Sequence, residues 1–130
     1  LYYAPIMAVS AKTGRSIARL KDKIIEIYDN YTQRIATSAL NRVIEKAVIR
    51  HALPSPNGAY LRIYYSTQFE TKPPRIALVM NKPRLLHFSY KRYLINFLRD
   101  NFNFEGCPIH IIARGKNDKV GDEEYLKEDN

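Results

Sequence analysis

Cysteine is nearly absent from this chain. Cys107 stands alone among 130 residues, so no internal disulfide can form and a reducing compartment suits the protein. Tryptophan is missing, and glycine occurs only five times. No apolar run approaches the roughly eighteen residues that a membrane-spanning helix needs. His51, His87 and His110 are scattered without ligand-like spacing, so no metal site is expected. The opening Leu1-Tyr2-Tyr3-Ala4-Pro5 lacks the charged start and apolar core of a signal peptide. It also lacks an initiator Met, so the chain reads as a piece of a longer polypeptide. There is no GxxxxGKS/T loop, so nothing here is expected to cradle nucleotide phosphates.

What is present is ordinary globular material, 45% hydrophobic and 26% charged, with its charge unevenly placed. Residues 115–130 hold three lysines against six acids, net −3, which leaves residues 1–114 at +11. A body this basic attracts phosphate backbones, although a solvated soluble surface has the same composition. The acidic tail has few apolar anchors beyond Val120, Tyr125 and Leu126, and its composition predicts disorder.

Periodicity divides the rest. Ile6-Met7-Ala8-Val9 fits a strand buried on both faces of a larger sheet that is not in the chain. A loop, Ser10-Ala11-Lys12-Thr13-Gly14, follows it, and then a helix with Ile17, Leu20, Ile24, Ile27 and Tyr31 on one face and Ser16 as its cap. A polar boundary at residues 29–36 precedes a second helix, capped by Thr37 or Ser38, with Leu40, Val43, Ile44, Ala47 and Val48 as its stripe. Arg42, Lys46 and Arg50 make a basic ridge on another side of that helix.

Residues 60–69 alternate as a strand. Leu61, Ile63, Tyr65 and Phe69 point one way, and Tyr60, Arg62, Tyr64, Ser66 and Gln68 the other. Residues 75–80 form a second strand, which Asn81-Lys82-Pro83 breaks. Ser89 is the expected cap of a third helix. Phe88, Tyr90, Tyr93 and Phe97 are expected in the core, and residues 109–114 form the last strand. Cys107 is expected to be a small buried thiol. The order α-β-β-α-β predicts an α+β fold: three strands with both helices on one face and a right-handed β-α-β crossover. The helix-free face would then carry Tyr60, Arg62 and Tyr64.

Residues 3–14 (YAPIMAVSAKTG), 34–47 (RIATSALNRVIEKA), 58–68 (GAYLRIYYSTQ), 73–83 (PPRIALVMNKP), 87–94 (HFSYKRYL) and 104–111 (FEGCPIHI) together resemble the C-terminal end of the Der (EngA) family of bacterial double GTPases. The resemblance implies three parts. Residues 1–33 are the remnant of the second GTPase domain (last strand, guanine motif, last helix) with a linker. Residues 34–114 are a KH-like domain, and residues 115–130 the acidic tail. It further implies that Ser10, Ala11 and Lys12 belong to the guanine-binding motif, with backbone N–H groups holding the base. GTP and Mg would be bound only by the full-length protein, and the piece itself would take no cofactor and hydrolyse nothing. The implied partners are the GTPase domains of the same polypeptide and the rRNA of the large ribosomal subunit, in the bacterial cytoplasm and away from membranes.

The pattern departs from RNA-binding KH domains, because no two glycines are spaced as GXXG. RNA or protein contact is therefore expected from side chains: Arg42, Lys46, Arg50, Tyr60, Arg62, Tyr64, Lys82, Arg84, Lys91 and Arg92. The competing reading is a free-standing RNA binder that uses the same basic surface.

Overall fold

The computed structural model describes residues 2–117. The elements run α1 (Ile17–Thr32), α2 (Thr37–Arg50), β1 (Ile63–Glu70), β2 (Arg75–Met80), α3 (Phe88–Asn101) and β3 (His110–Arg114). Single 3-10 turns lie at Pro56–Gly58 and Pro83–Leu85. The sheet order is β1-β2-β3, antiparallel then parallel. The parallel pair requires a crossover, which α3 supplies.

The core lies between the sheet and the helix pair α2/α3. Leu40, Val43, Ile44 and Ala47 of α2 and Tyr90, Leu94 and Leu98 of α3 meet Ile76, Leu78 and Met80 of the central strand. Leu94, Leu98 and Phe104 are almost wholly removed from water. Burial of a leucine of this kind stabilises by about 1.5–3 kcal/mol. Tyr90 and Tyr93 fasten α3 to the end of α2. Their hydroxyls donate to the carbonyls of His51 and Ala47, each at 2.7 Å, at the C-terminal end of α2.

Strand β1 departs from simple alternation. Its pairing with β2 shifts register between Ile63 and Tyr65, so side chains beyond this point change face. Ser66 and Gln68, expected outside, are buried, whereas Tyr65, expected inside, is 44% exposed. The buried polar groups are satisfied from the helix side. Asn41 accepts the Ser66 backbone N–H at 2.7 Å and donates to its carbonyl at 2.9 Å, standing where another strand would pair. Gln68 accepts the Ile35 N–H at 2.7 Å and donates to the Gln33 carbonyl at 2.8 Å, pinning the linker before α2.

The caps also differ from expectation. Ala36 occupies the cap of α2, so Thr37 and Ser38 begin the helix instead of capping it. His87 caps α3, its Nδ1 accepting the Ser89 N–H at 3.1 Å. Ser16 sits at the cap of α1 in a left-handed conformation, φ 62°, without a side-chain capping bond. Residues 6–9 form no strand: among the described residues no strand lies beside them to pair with, and Ile6 is 98% exposed. Of the acidic tail, residues 118–130 lie outside the described residues.

Candidate functional site

The loop of Ser10, Ala11 and Lys12 closes on itself. The Ser10 N–H donates to the Arg15 carbonyl at 3.1 Å, and Ser10 Oγ accepts the Thr13 N–H at 3.3 Å. Ala11 and Lys12 are exposed, leaving them on the surface just before α1. Among the described residues no cluster of His, Cys, Asp or Glu can hold a metal ion.

A polar and aromatic seam ties this N-terminal unit to the rest. Asn30, buried in α1, donates to the Glu105 carbonyl at 3.0 Å and to Asn103 Oδ1 at 3.4 Å. Lys23 reaches Glu105 at 3.4 Å. The Gly106 N–H donates to the Tyr3 carbonyl at 3.0 Å, and Arg99 lies over the Tyr3 ring at 4.9 Å. Gly106 has φ 82°, and a Cβ there would fall 2.4 Å from Ile27. Both facts require glycine. On its other side, α1 exposes Ile24, Ile25 and Tyr28 at 56–60%, an apolar strip without a partner among the described residues.

The second surface is the turn leading into α3. Lys82, Arg84 and Arg92 are exposed here and Lys91 is half-buried. Phe88, expected in the core, is 47% exposed. It begins the helix two residues before Tyr90 and so falls off the Tyr90-Leu94-Leu98 stripe. Arg92 lies over its ring at 5.4 Å, and the His87 ring stands 4.5 Å away. An aromatic face set among cations can stack on a base while the cations meet phosphate. That offset from the stripe was the available signal for Phe88.

The third surface lies between α2 and the start of β1. Tyr60 and Arg62 precede β1, which starts at Ile63, and so lie off the expected sheet face; with Tyr64 they line this groove. Arg62 lies 5.7 Å from the Tyr64 ring centre. Asn81 positions the pair's neighbours. Its Oδ1 accepts the Arg62 N–H at 2.9 Å, and its Nδ2 donates to the Tyr60 carbonyl at 2.7 Å. Asn81 therefore does more than end β2. Arg42, Lys46 and Arg50 are exposed on α2 but stay outside the groove lining.

Perturbed titrations reflect packing. Burial, helped by nearby Tyr93, pushes the Tyr90 phenol up to about 12. Burial raises the Cys107 thiol, and Arg99 only partly offsets this, so the thiol is not poised as a nucleophile. Burial and then Arg75 lower His110.

Residues 34–114 match the family described as the KH-domain-like, C-terminal domain of EngA bacterial GTPase enzymes. The chain is 55% identical over 130 residues to a protein of Wolinella succinogenes named GTPase Der, covering 99% of this chain and 28% of that protein. It is 58% identical over 120 residues to the GTPase Der of Nautilia profundicola, covering 92% and 26%. The chain thus spans about a quarter of the length of these curated relatives. With the α-β-β-α-β core in place over the matched residues, the chain belongs to the family of EngA C-terminal KH-like domains.

Proposed function

We propose that this chain is the docking end of a Der-type GTPase that acts in assembling the large ribosomal subunit. One side carries the guanine-motif loop and last helix of the second GTPase domain; the others meet the GTPase domains and rRNA. The observation that carries this reading is the apolar strip of α1, Ile24, Ile25 and Tyr28, left open beside a core that is otherwise complete. Exposed strips of this kind mark contact sites. The full-length protein supplies the phosphate loop, binds GTP and Mg, and hydrolyses GTP in the bacterial cytoplasm; this piece contributes contacts alone. No helix among the described residues is long and apolar enough to cross a membrane.

Deleting residues 34–114 from the full-length protein is expected to abolish its nucleotide-dependent co-sedimentation with large ribosomal subunits. Unchanged co-sedimentation contradicts the proposal. The isolated chain is expected to release no phosphate from GTP.

A second reading, RNA binding by the isolated chain, is favoured by Phe88 standing exposed beneath Arg92. It requires affinity that falls with salt at a log–log slope of about −0.7 per phosphate neutralised on a single strand. It also requires weakening in Phe88→Ala, since stacking on one aromatic supplies roughly 1–3 kcal/mol. A flat salt response removes it.

A further inference from the structure

Ala77, Val79 and Ile112 are buried, yet they stand outside the core between the sheet and the helices. Alternation explains this. Ile76, Leu78 and Met80 face α2 and α3, so the residues between them face the other way. The register arranges that second face in rows. Tyr65, Val79 and Arg114 stand side by side across the three strands, and Thr67, Ala77 and Ile112 form the next row. Beyond that row Arg75 lies over the Phe69 ring at 5.1 Å.

Two properties of this face indicate its ligand. The first is its aromatic rings. Tyr65 is 44% exposed at one end, and Phe69 with its guanidinium cover stands at the other, about 13 Å away along β1. Thr67 and Ala77 between them are small, so the rings are the high points of the surface. The second property is charge of one sign. Glu70 is the only acid in the three strands, and Arg75 already pairs with it at 3.1 Å. Arg114 Nε is buried and meets no acceptor among the described residues, whereas buried donors are nearly always paired. At the same end of the sheet Lys116 Nζ stands 5.3 Å from the Tyr64 ring centre. Rings suit bases and the unmatched cations suit phosphate. RNA-binding sheets use this arrangement, stacking two or three bases on the aromatics of their open face.

We infer that the helix-free face of the sheet binds single-stranded RNA, with one base on Tyr65, a second on the Phe69–Arg75 pair, and phosphate at Arg114 and Lys116. This rests on the RNA-binding reading above, and it adds a site other than Phe88 and a form of RNA. An A-form duplex keeps its bases stacked inside the helix and offers none to the rings.

Fluorescence anisotropy of the 130-residue chain with a labelled eight-nucleotide RNA, single-stranded or annealed to its complement, tests it. The wild-type chain is expected to bind the single strand more tightly than the duplex at equal salt. Tyr65→Ala is expected to weaken single-strand binding roughly 5- to 100-fold and to leave duplex binding unchanged. Lys116→Gln, beyond the end of β3 and so harmless to the sheet, is expected to lower the log–log salt slope by about 0.7. Equal or tighter binding of the duplex overturns the inference, as does a Tyr65→Ala chain that binds like wild type. If Phe88→Ala alone weakens binding, the RNA sits at the turn into α3: the inference falls and the RNA-binding reading stands. If the wild-type chain binds neither RNA, both fall. Displacement of the strand by polyglutamate as readily as by unlabelled RNA also overturns it, and assigns the face to an acidic protein surface.

Discussion

Helices α1 and α2 carry the same kind of apolar stripe and meet opposite fates. In α2, Leu40, Val43, Ile44 and Ala47 are all buried against the sheet and α3. In α1 only Asn30, a polar residue, is buried, while Ile24 and Ile25 face outward. The difference shows that periodicity establishes that a helix has a partner without saying whether the partner lies in the same piece of chain. Helix α1 is gripped on one side by polar contacts of Lys23 and Asn30 to the α3–β3 connection and by Tyr31 packed against the core, and Ile24, Ile25 and Tyr28 are left over. On the docking proposal α1 joins two bodies, whereas α2 belongs wholly to one.

Substitutions break this contrast in graded steps. Leu94→Ala, at the centre of the α2/α3 core, is expected to cost about 2–5 kcal/mol in urea unfolding of the chain, since it opens a cavity in a fully buried site. Gly106→Ala strikes the seam: the added methyl meets Ile27 from a left-handed backbone. It is expected to cost about 1 kcal/mol or more and to raise amide exchange in α1 while sparing α2. Alkaline pH probes the α2–α3 fastening. The Tyr90 phenol ionises near 12 in the fold and at about 10 when unfolded, so its contribution is intact below pH 10 and is lost as pH rises toward 12. Tyr90→Phe is expected to flatten that part of the stability–pH curve, and an unchanged curve would assign the loss to another group. Ile25→Ser is expected to change the stability of this chain by no more than about 0.5 kcal/mol, because the side chain is already in water. A cost resembling that of Leu94→Ala would show that the strip is covered.

Much of the fold was legible in the sequence, for identifiable reasons. The stripes of α2 and α3 and the aliphatic run of β2 are long and unbroken, and each names its element. Strand β1 was legible as a strand, but its facing pattern only as far as Ile63. The register shift after it is set by pairing with β2 and by Asn41 bonding to Ser66, and neither partner lies close in sequence. Tyr60 and Arg62 fall before β1 begins at Ile63 and line a groove with Tyr64, where a shared sheet face was expected. Capping was misread where His87 and Ala36 took positions that Ser89, Thr37 and Ser38 fit better by composition. Among the candidate contact residues, Arg42, Lys46 and Arg50 stand exposed on α2, where local sequence puts them. Phe88 and the positioning role of Asn81 depend on helix phase and on a cross-strand neighbour, so they emerged only in three dimensions.

Hydrogen exchange of the wild-type chain tests the central claim, that α1 is held by the KH-like domain while its apolar strip waits for another body. A helix of 16 residues is marginal in water by itself, so protection of its amides reports docking. The account predicts clear protection across residues 17–32, weaker than in α2 but far above that of an unstructured peptide. Exchange of α1 at the unstructured rate, with α2 and α3 still protected, would contradict it.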